Sequence, residues 1–188
     1  MNSELIATVI HDLKNSLGVL TGGLSAMADR AAGTRIEAEA RNAYAIAARL
    51  SQNLVSFLTL YRTDHGGLKV QPLDHSPEDF IRDLAAELVL PPGAPEVSVE
   101  IGEQIAPFWF FDAYFVRMAI EAAVQNATRF ARSAITLSAR MRGEFLVFRV
   151  ADDGPGLGAA GAPSTGLGTA LCTAIAQAHR NGNREGKV

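Results

Sequence analysis

Two glycine-rich stretches in the second half of the chain have the residue types for binding phosphate: DDGPGLG (152–158) and TGLGTALCTAIAQAH (165–179). The first follows an alternating apolar segment and the second opens an apolar helical pattern. Glycine lets backbone approach a ligand closely, and a helix N-terminus offers free N–H groups and the positive end of a dipole. Neither stretch has the Gly-Lys-Ser/Thr of a P-loop or the GxGxxG of a dinucleotide fingerprint, and each alone reads more readily as a plain turn. A third cluster lies near the start, in VIHDLKNSLGVL (9–20). On a helix, His11 stands about 100° around from Ile10, and Asn15 sits one turn above His11 on the same face, with Asp12 at its edge. That face is either a histidine set up for chemistry or the wet flank of an ordinary helix, and the stretch by itself leaves both open.

The elements that would carry these residues can be read from periodicity. Apolar residues at Ile10, Leu13, Leu17, Leu20, Leu24 and Met27 step by three and four, a heptad seam on one helix. After the polar break DRAAGTR (29–35), a second seam runs through Ile36, Ala40, Ala43, Ala47, Leu50, Leu54, Phe57 and Tyr61. The short break predicts an antiparallel hairpin. Val9, Ile46, Val55 and Leu58 add apolar surface off the seam, more than two helices can cover. Residues 1–63 are therefore expected to form a homodimer, closing a four-helix bundle.

Residues 64–76 read as a linker, with one short strand over Leu68–Pro72. SPEDFIRDLAAEL then opens as a capped helix, with Ser76 at the cap and Pro77 at the first position. Val97–Ile101 alternates as a strand, and a longer helix is expected over Ala113–Ala131. Ser133–Arg140 and Glu144–Ala151 read as strands of a hairpin turning at Met141-Arg142-Gly143. The expected fold class is thus α plus α/β: a helical hairpin, then an α/β sandwich nucleotide-binding domain over 77–188.

Composition sets outer limits. Of 188 residues, 48% are hydrophobic and 20% charged, which suits one or two globular domains. The net charge of −3 comes with interspersed signs and no basic run, so neither nucleic acid nor a membrane surface is an expected partner. The uncharged run 154–178 is interrupted by glycines, Pro155 and Pro163, which excludes a membrane span there. No secretory leader is visible, and the lone Cys172 fits a reducing, cytoplasmic setting, either free or as the cytoplasmic part of a larger sensor. His65, His75 and His179 lack partners at metal-ligand spacing and read as surface residues. Trp109 reads as a packing residue.

Taken in order, the motifs resemble those of the bacterial sensor histidine kinases. HDLKNSLG is similar to the H-box of the dimerisation and phosphotransfer hairpin, QNATRF (125–130) to the N-box, and DDGPGLG and TGLGTAL to the two glycine boxes. The resemblance covers nearly the whole chain. It implies autophosphorylation of His11 from ATP and transfer of the phosphoryl group to an aspartate of a response-regulator receiver domain. It further implies that Asp12 orients the His11 ring and accepts its proton, and that Asn15 places water for dephosphorylation. Asn126 would hold Mg²⁺ against the phosphates, with Arg129 beside them. Asp152 would accept from the adenine amino group, Gly154 and Gly156 would make room for the nucleotide, and Gly166 and Gly168 would form the phosphate-facing end of the lid.

The chain departs from that pattern at three points. Ala122 stands one turn before Asn126, where an Asn or acid is common, and Glu121 is one residue too early. Seven residues, Ala159–Thr165, separate the glycine boxes, a short lid without a Phe-rich segment. Val188 is reached without the closing β-hairpin that the resemblance implies. These departures keep alternatives open: a phosphotransferase or phosphatase relaying phosphate through His11 without ATP, or a non-catalytic dimeric scaffold.

Overall fold

The computed structural model describes residues 3–88, 90, 93–156, 166–181 and 184–188, with backbone alone for 3–12, 14, 62 and 64–66. The chain forms two compact units, Met1–Thr59 with Leu90–Gly93, and Leu60–Val89 with Ala94–Val188.

The first unit is built on helices α1 (Ser3–Arg30) and α2 (Glu37–Gly66). Between them Gly33 takes φ +74°, a left-handed conformation that a side chain would resist. Its N–H donates to Glu37 Oε2 at 2.7 Å, and Arg41 pairs with the same carboxylate at 3.0 Å. Ala28 and Ala31 meet Ala40 in one buried cluster, so the chain does reverse here as the short break requires. The two seams split by exposure. On α2, Ala40 and Ala47 are buried, while on α1 Leu17 and Leu24 are half-buried. The alternate set, Leu13, Leu20, Met27, Ile36, Leu50 and Phe57, is left between 46 and 56% exposed. Seven-residue steps keep each set on its own side of a helix, so one stripe is covered within the unit and the other lies open.

The second unit is an α/β sandwich. Strand β2 (Glu96–Ile101) pairs in parallel with β4 (Ala134–Arg142), and β4 pairs antiparallel with β5 (Phe145–Asp152). Helices α3 (Pro77–Glu87), α4 (Ala113–Phe130) and α5 (Leu167–Ala178) supply the second layer. Their buried residues, including Ile81, Leu84, Val124, Leu171 and Ile175, belong to the same core as Ile135, Leu137 and Ala139 of β4. Along β4 these three alternate with Thr136 and Arg140 because successive strand residues point to opposite sides. Ser76 caps α3 as expected, its Oγ accepting from the Asp79 N–H at 3.2 Å. A small antiparallel ribbon, β1 (Leu73–His75) with β3 (Trp109–Phe111), joins this core through Phe111. The Phe111 ring lies 5.0 Å from Phe80 and 5.5 Å from Phe148, in edge-on contacts.

Four expectations need correction. α2 runs through Gly66, so the first residues of the expected linker are helical. The short strand is Leu73–His75 rather than Leu68–Pro72, because register with β3 sets Leu73 opposite Phe111. The β4–β5 turn is Gly143-Glu144, one step later than expected, with Gly143 at φ +59°. Glycine at the first of two central positions suits the twist of a hairpin. Finally, the tail does fold back: β6 (Arg180–Asn181) pairs antiparallel with β7 (Arg184–Glu185), supported by an Arg180–Glu185 ion pair at 3.1 Å.

Candidate nucleotide site

Helix α4 is the axis of the site. Asp112 starts it, one carboxylate oxygen accepting from the Phe115 N–H at 3.1 Å and the other from the Gln71 N–H at 2.8 Å. Met118, Ala122 and Val124 turn inward, which leaves Asn126 and Arg129 exposed near the C-terminal end. The Arg129 guanidinium lies over the Phe130 ring, 5.5 Å from its centroid.

The first glycine turn packs against this end of α4. Asp152, the last residue of β5, is exposed, and its Oδ1 accepts from the Gly154 N–H at 2.9 Å. A Cβ on Gly154 would collide with the Phe130 carbonyl oxygen, so only glycine fits where the turn crosses α4. Gly156 takes φ +83°, again a conformation suited to glycine.

Sequence reading overlooked Asp153, which fixes this turn in place. Its carboxylate accepts from the Arg132, Ser133 and Ala134 N–H groups at 2.7, 3.0 and 3.2 Å, and from Ser133 Oγ at 2.7 Å. The Ser133 hydroxyl first, then the backbone donors, hold the Asp153 carboxyl far below the usual carboxylate range. The sequence signal was the Asp-Asp pair at a strand end, where an aspartate can collect backbone N–H groups.

The second glycine motif lies along the other flank of α4. Gly166 takes φ +69° at the start of α5, with no side chain capping the helix. Contacts between α4 and α5 run antiparallel and in step. The Asp112 N–H donates to His179 Nε2 at 3.0 Å, Cys172 Sγ donates to the Ala119 carbonyl at 3.3 Å, and a Cβ on Gly168 would stand 4.0 Å from Ala122 Cβ. This register brings the first turn of α5 to the turn of α4 just before Asn126. Burial pushes the Cys172 thiol pKa up, as befits a packing residue. His179 was read as a surface residue; it is half-buried and joins two helices.

Of the sequence-derived site residues, Asn126, Arg129, Asp152, Gly154, Gly156, Gly166 and Gly168 all flank the C-terminal half of α4 or the segments packed on it. His11 and Asp12 lie on α1 by backbone, and their side chains fall outside the described ones, as do residues 157–165, which take in the end of the first glycine box, the segment between the boxes and Thr165. Asn15, on α1 in the first unit, is exposed. Ala122 is buried against α5, and Glu121 is turned to Arg117, 3.7 Å away. Among the described residues no group of three His, Cys, Asp or Glu side chains could hold a metal ion. What remains is a helix N-terminus that opens at a glycine, an exposed amide and an arginine around one helix end, an arrangement suited to an anionic ligand.

No family model matches the sequence, and no curated protein is a significant match. Solved structures do match. The chain is similar to the Acinetobacter baumannii histidine kinase AdeS, with 16% identity, 89% of this chain and 86% of that chain covered, and a TM-score of 0.55. It is also similar to full-length ShkA, solved in complex with AMPPNP, with 21% identity and a TM-score of 0.61. That match takes in 95% of this chain and 41% of ShkA. Identities this low speak to the fold alone: the chain shares with these histidine kinase structures a helical hairpin followed in sequence by an α/β sandwich.

Proposed function

We propose that the chain is the core of a protein histidine kinase, which phosphorylates His11 from ATP and passes the phosphoryl group to a receiver-domain aspartate of a response regulator. The observation that carries this reading is the convergence of the Asp152–Gly156 turn and the α5 N-terminus on the end of α4 that bears Asn126 and Arg129. Phosphoryl transfer asks mainly for positioning and charge neutralisation, and these groups have that character. The fold shared with ShkA, a structure holding AMPPNP, supports a nucleotide as the ligand.

In this reading the neutral His11 ring offers a nitrogen lone pair. An N–P bond forms to the γ-phosphorus as that phosphorus parts from the ADP oxygen, and Asp12 accepts the ring proton. On transfer, the N–P bond breaks and an aspartyl O–P bond forms on the regulator. Asn15 places water for dephosphorylating the regulator, where water attacks the phosphorus, the aspartyl O–P bond breaks and inorganic phosphate leaves. Asp152 keeps one carboxylate oxygen for the adenine amino group while Oδ1 holds Gly154. The donor set fits Mg²⁺ of a phosphate-held kind, with the Asn126 amide as its protein oxygen, since this ion keeps waters and substrate oxygens as most of its ligands. When bound, Mg²⁺ would neutralise phosphate charge.

The open stripe of Leu13, Leu20, Met27, Ile36, Leu50 and Phe57 supports a homodimer through the hairpin, the second copy covering what one copy leaves wet. No helix among the described residues is long and apolar enough to cross a membrane, and we place the reaction in the cytoplasm.

Incubation with γ-labelled ATP tests the kinase. Acid-labile label is expected on the wild type and absent from His11→Gln. A second reading, a relay through His11 that does not use ATP, is favoured by one feature: Ala122 supplies no oxygen ligand and Glu121 is engaged with Arg117. Failure to bind Mg-ATP at millimolar concentration, together with phosphate uptake from a phosphorylated receiver domain, would select the relay.

A further inference from the structure

The His179 side chain has no part in the site described above, yet both of its ring nitrogens are committed. Nε2 faces the Asp112 N–H at 3.0 Å, and Nδ1 faces the Ile175 carbonyl at 2.8 Å. A backbone N–H can only donate and a carbonyl can only accept, so the ring must be neutral, with the proton on Nδ1 and the lone pair on Nε2. The residue it grips is itself a junction. Asp112 is buried, starts α4 and holds the backbone at Gln71. The His179 carbonyl accepts from the Gly186 N–H at 3.1 Å, which ties the tail hairpin to the same point.

This clasp stands at one end of the α4–α5 pair, and the phosphate-facing residues stand at the other. Between them the helices touch through small groups, Cys172 against Ala119 and Gly168 against Ala122. Such contacts allow the two helices to approach closely. Of the described polar contacts between α4 and α5, the His179–Asp112 bond is the one made by a rigid ring at a fixed reach.

We propose that His179 is a positioning residue of the nucleotide site: its neutral, Nδ1-protonated ring fixes the α4–α5 register that sets Gly166 and Gly168 beside the turn preceding Asn126. The inference rests on the nucleotide-binding reading above. It is separable from that reading because wild-type binding is measured first.

The probe is Mg-ATP, titrated by calorimetry against the full chain. His179→Phe keeps a ring and removes the acceptor, leaving the Asp112 N–H without its partner. It is expected to weaken binding about tenfold or more, a loss of the size that one unpaired buried donor can cause. His179→Gln places an amide oxygen within reach of the same N–H and should recover most of the affinity. Full affinity in folded His179→Phe, or no recovery in His179→Gln, overturns the proposal. Nitrogen-15 spectra of the wild type must show the Nδ1–H tautomer, and an Nε2–H tautomer overturns it as well. Where His179→Phe does not fold, the wild type carries the test: a clasp coupled to the site requires Mg-ATP to slow hydrogen exchange at the Asp112 amide. Unchanged exchange at saturating Mg-ATP would sink it. If the wild type binds no Mg-ATP at all, it is the nucleotide reading that has failed.

Discussion

Gly154 and Asp153 show how much of the site depends on single atoms. Gly154 lies so close to the Phe130 carbonyl that a methyl group has no room. Gly154→Ala should therefore force the turn off α4, costing about 1–3 kcal/mol of stability by overpacking. The measurable result is a lower Tm together with weaker Mg-ATP binding. Gly156→Ala, strained by its φ of +83° but with open space around it, should lower Tm with no collision to relieve. Asp153 makes a prediction about pH. Its folded pKa is depressed, so its contribution to stability is fully present above the unfolded value, near about pH 4, and is lost as pH falls through the folded value. The Tm gap between wild type and Asp153→Asn should hold steady from neutral pH down to about pH 5 and close below about pH 4. A gap that stays constant into acid would show that the charge on Asp153 is not what holds residues 132–134.

At the scale of elements, the heptad pattern of the first unit is two patterns in one. A seam read from the letters alone treats Leu17 and Leu20 alike, since both are leucines at allowed steps. Folding separates them: Leu17 is half-buried, and Leu20 stands half in water. If a second copy covers the open stripe, Leu20→Glu and Leu50→Glu should each turn a dimer into a folded monomer. Each removes a leucine worth about 1.5–3 kcal/mol when fully buried and adds a charge the interface cannot solvate. Sedimentation velocity reads the mass and circular dichroism the retained helix; a dimer that survives both substitutions rules the stripe out as its interface. The α4–α5 pair teaches a related lesson. Ala119, Ala122, Gly168 and Cys172 look unremarkable in sequence, yet their small size sets how closely the two helices approach.

For the whole molecule, the division into two compact units falls between Thr59 and Leu60, inside the continuous helix α2. The residues proposed to face the nucleotide all belong to the second unit and the histidine motif to the first. Residues 60–188 alone should accordingly bind Mg-ATP as the full chain does, while taking up no acid-labile label. Label on that fragment would mean that His11 is not the acceptor.

Periodicity placed β2 and α4 to within a residue or two and found both hairpin helices with the break between them, because apolar spacing is a local record of which face will be buried. The glycine boxes were legible for a similar reason: close approach and left-handed backbone leave few residue types to choose from, as Gly154 and Gly166 show. The sequence by itself thus determined the fold class, the order of the elements and the places where only glycine suits the backbone. Register was beyond it. That Leu73 rather than Val70 meets the ribbon, that Asp153 gathers backbone from residues 132–134, and that His179 reaches Asp112 are pairings across 19 to 67 residues of chain. Nothing local encodes such partners. They are decided only when burial of the α4, α5 and β4 faces sets the elements at fixed distances, and the hydrogen-bonding groups left at the edges find one another.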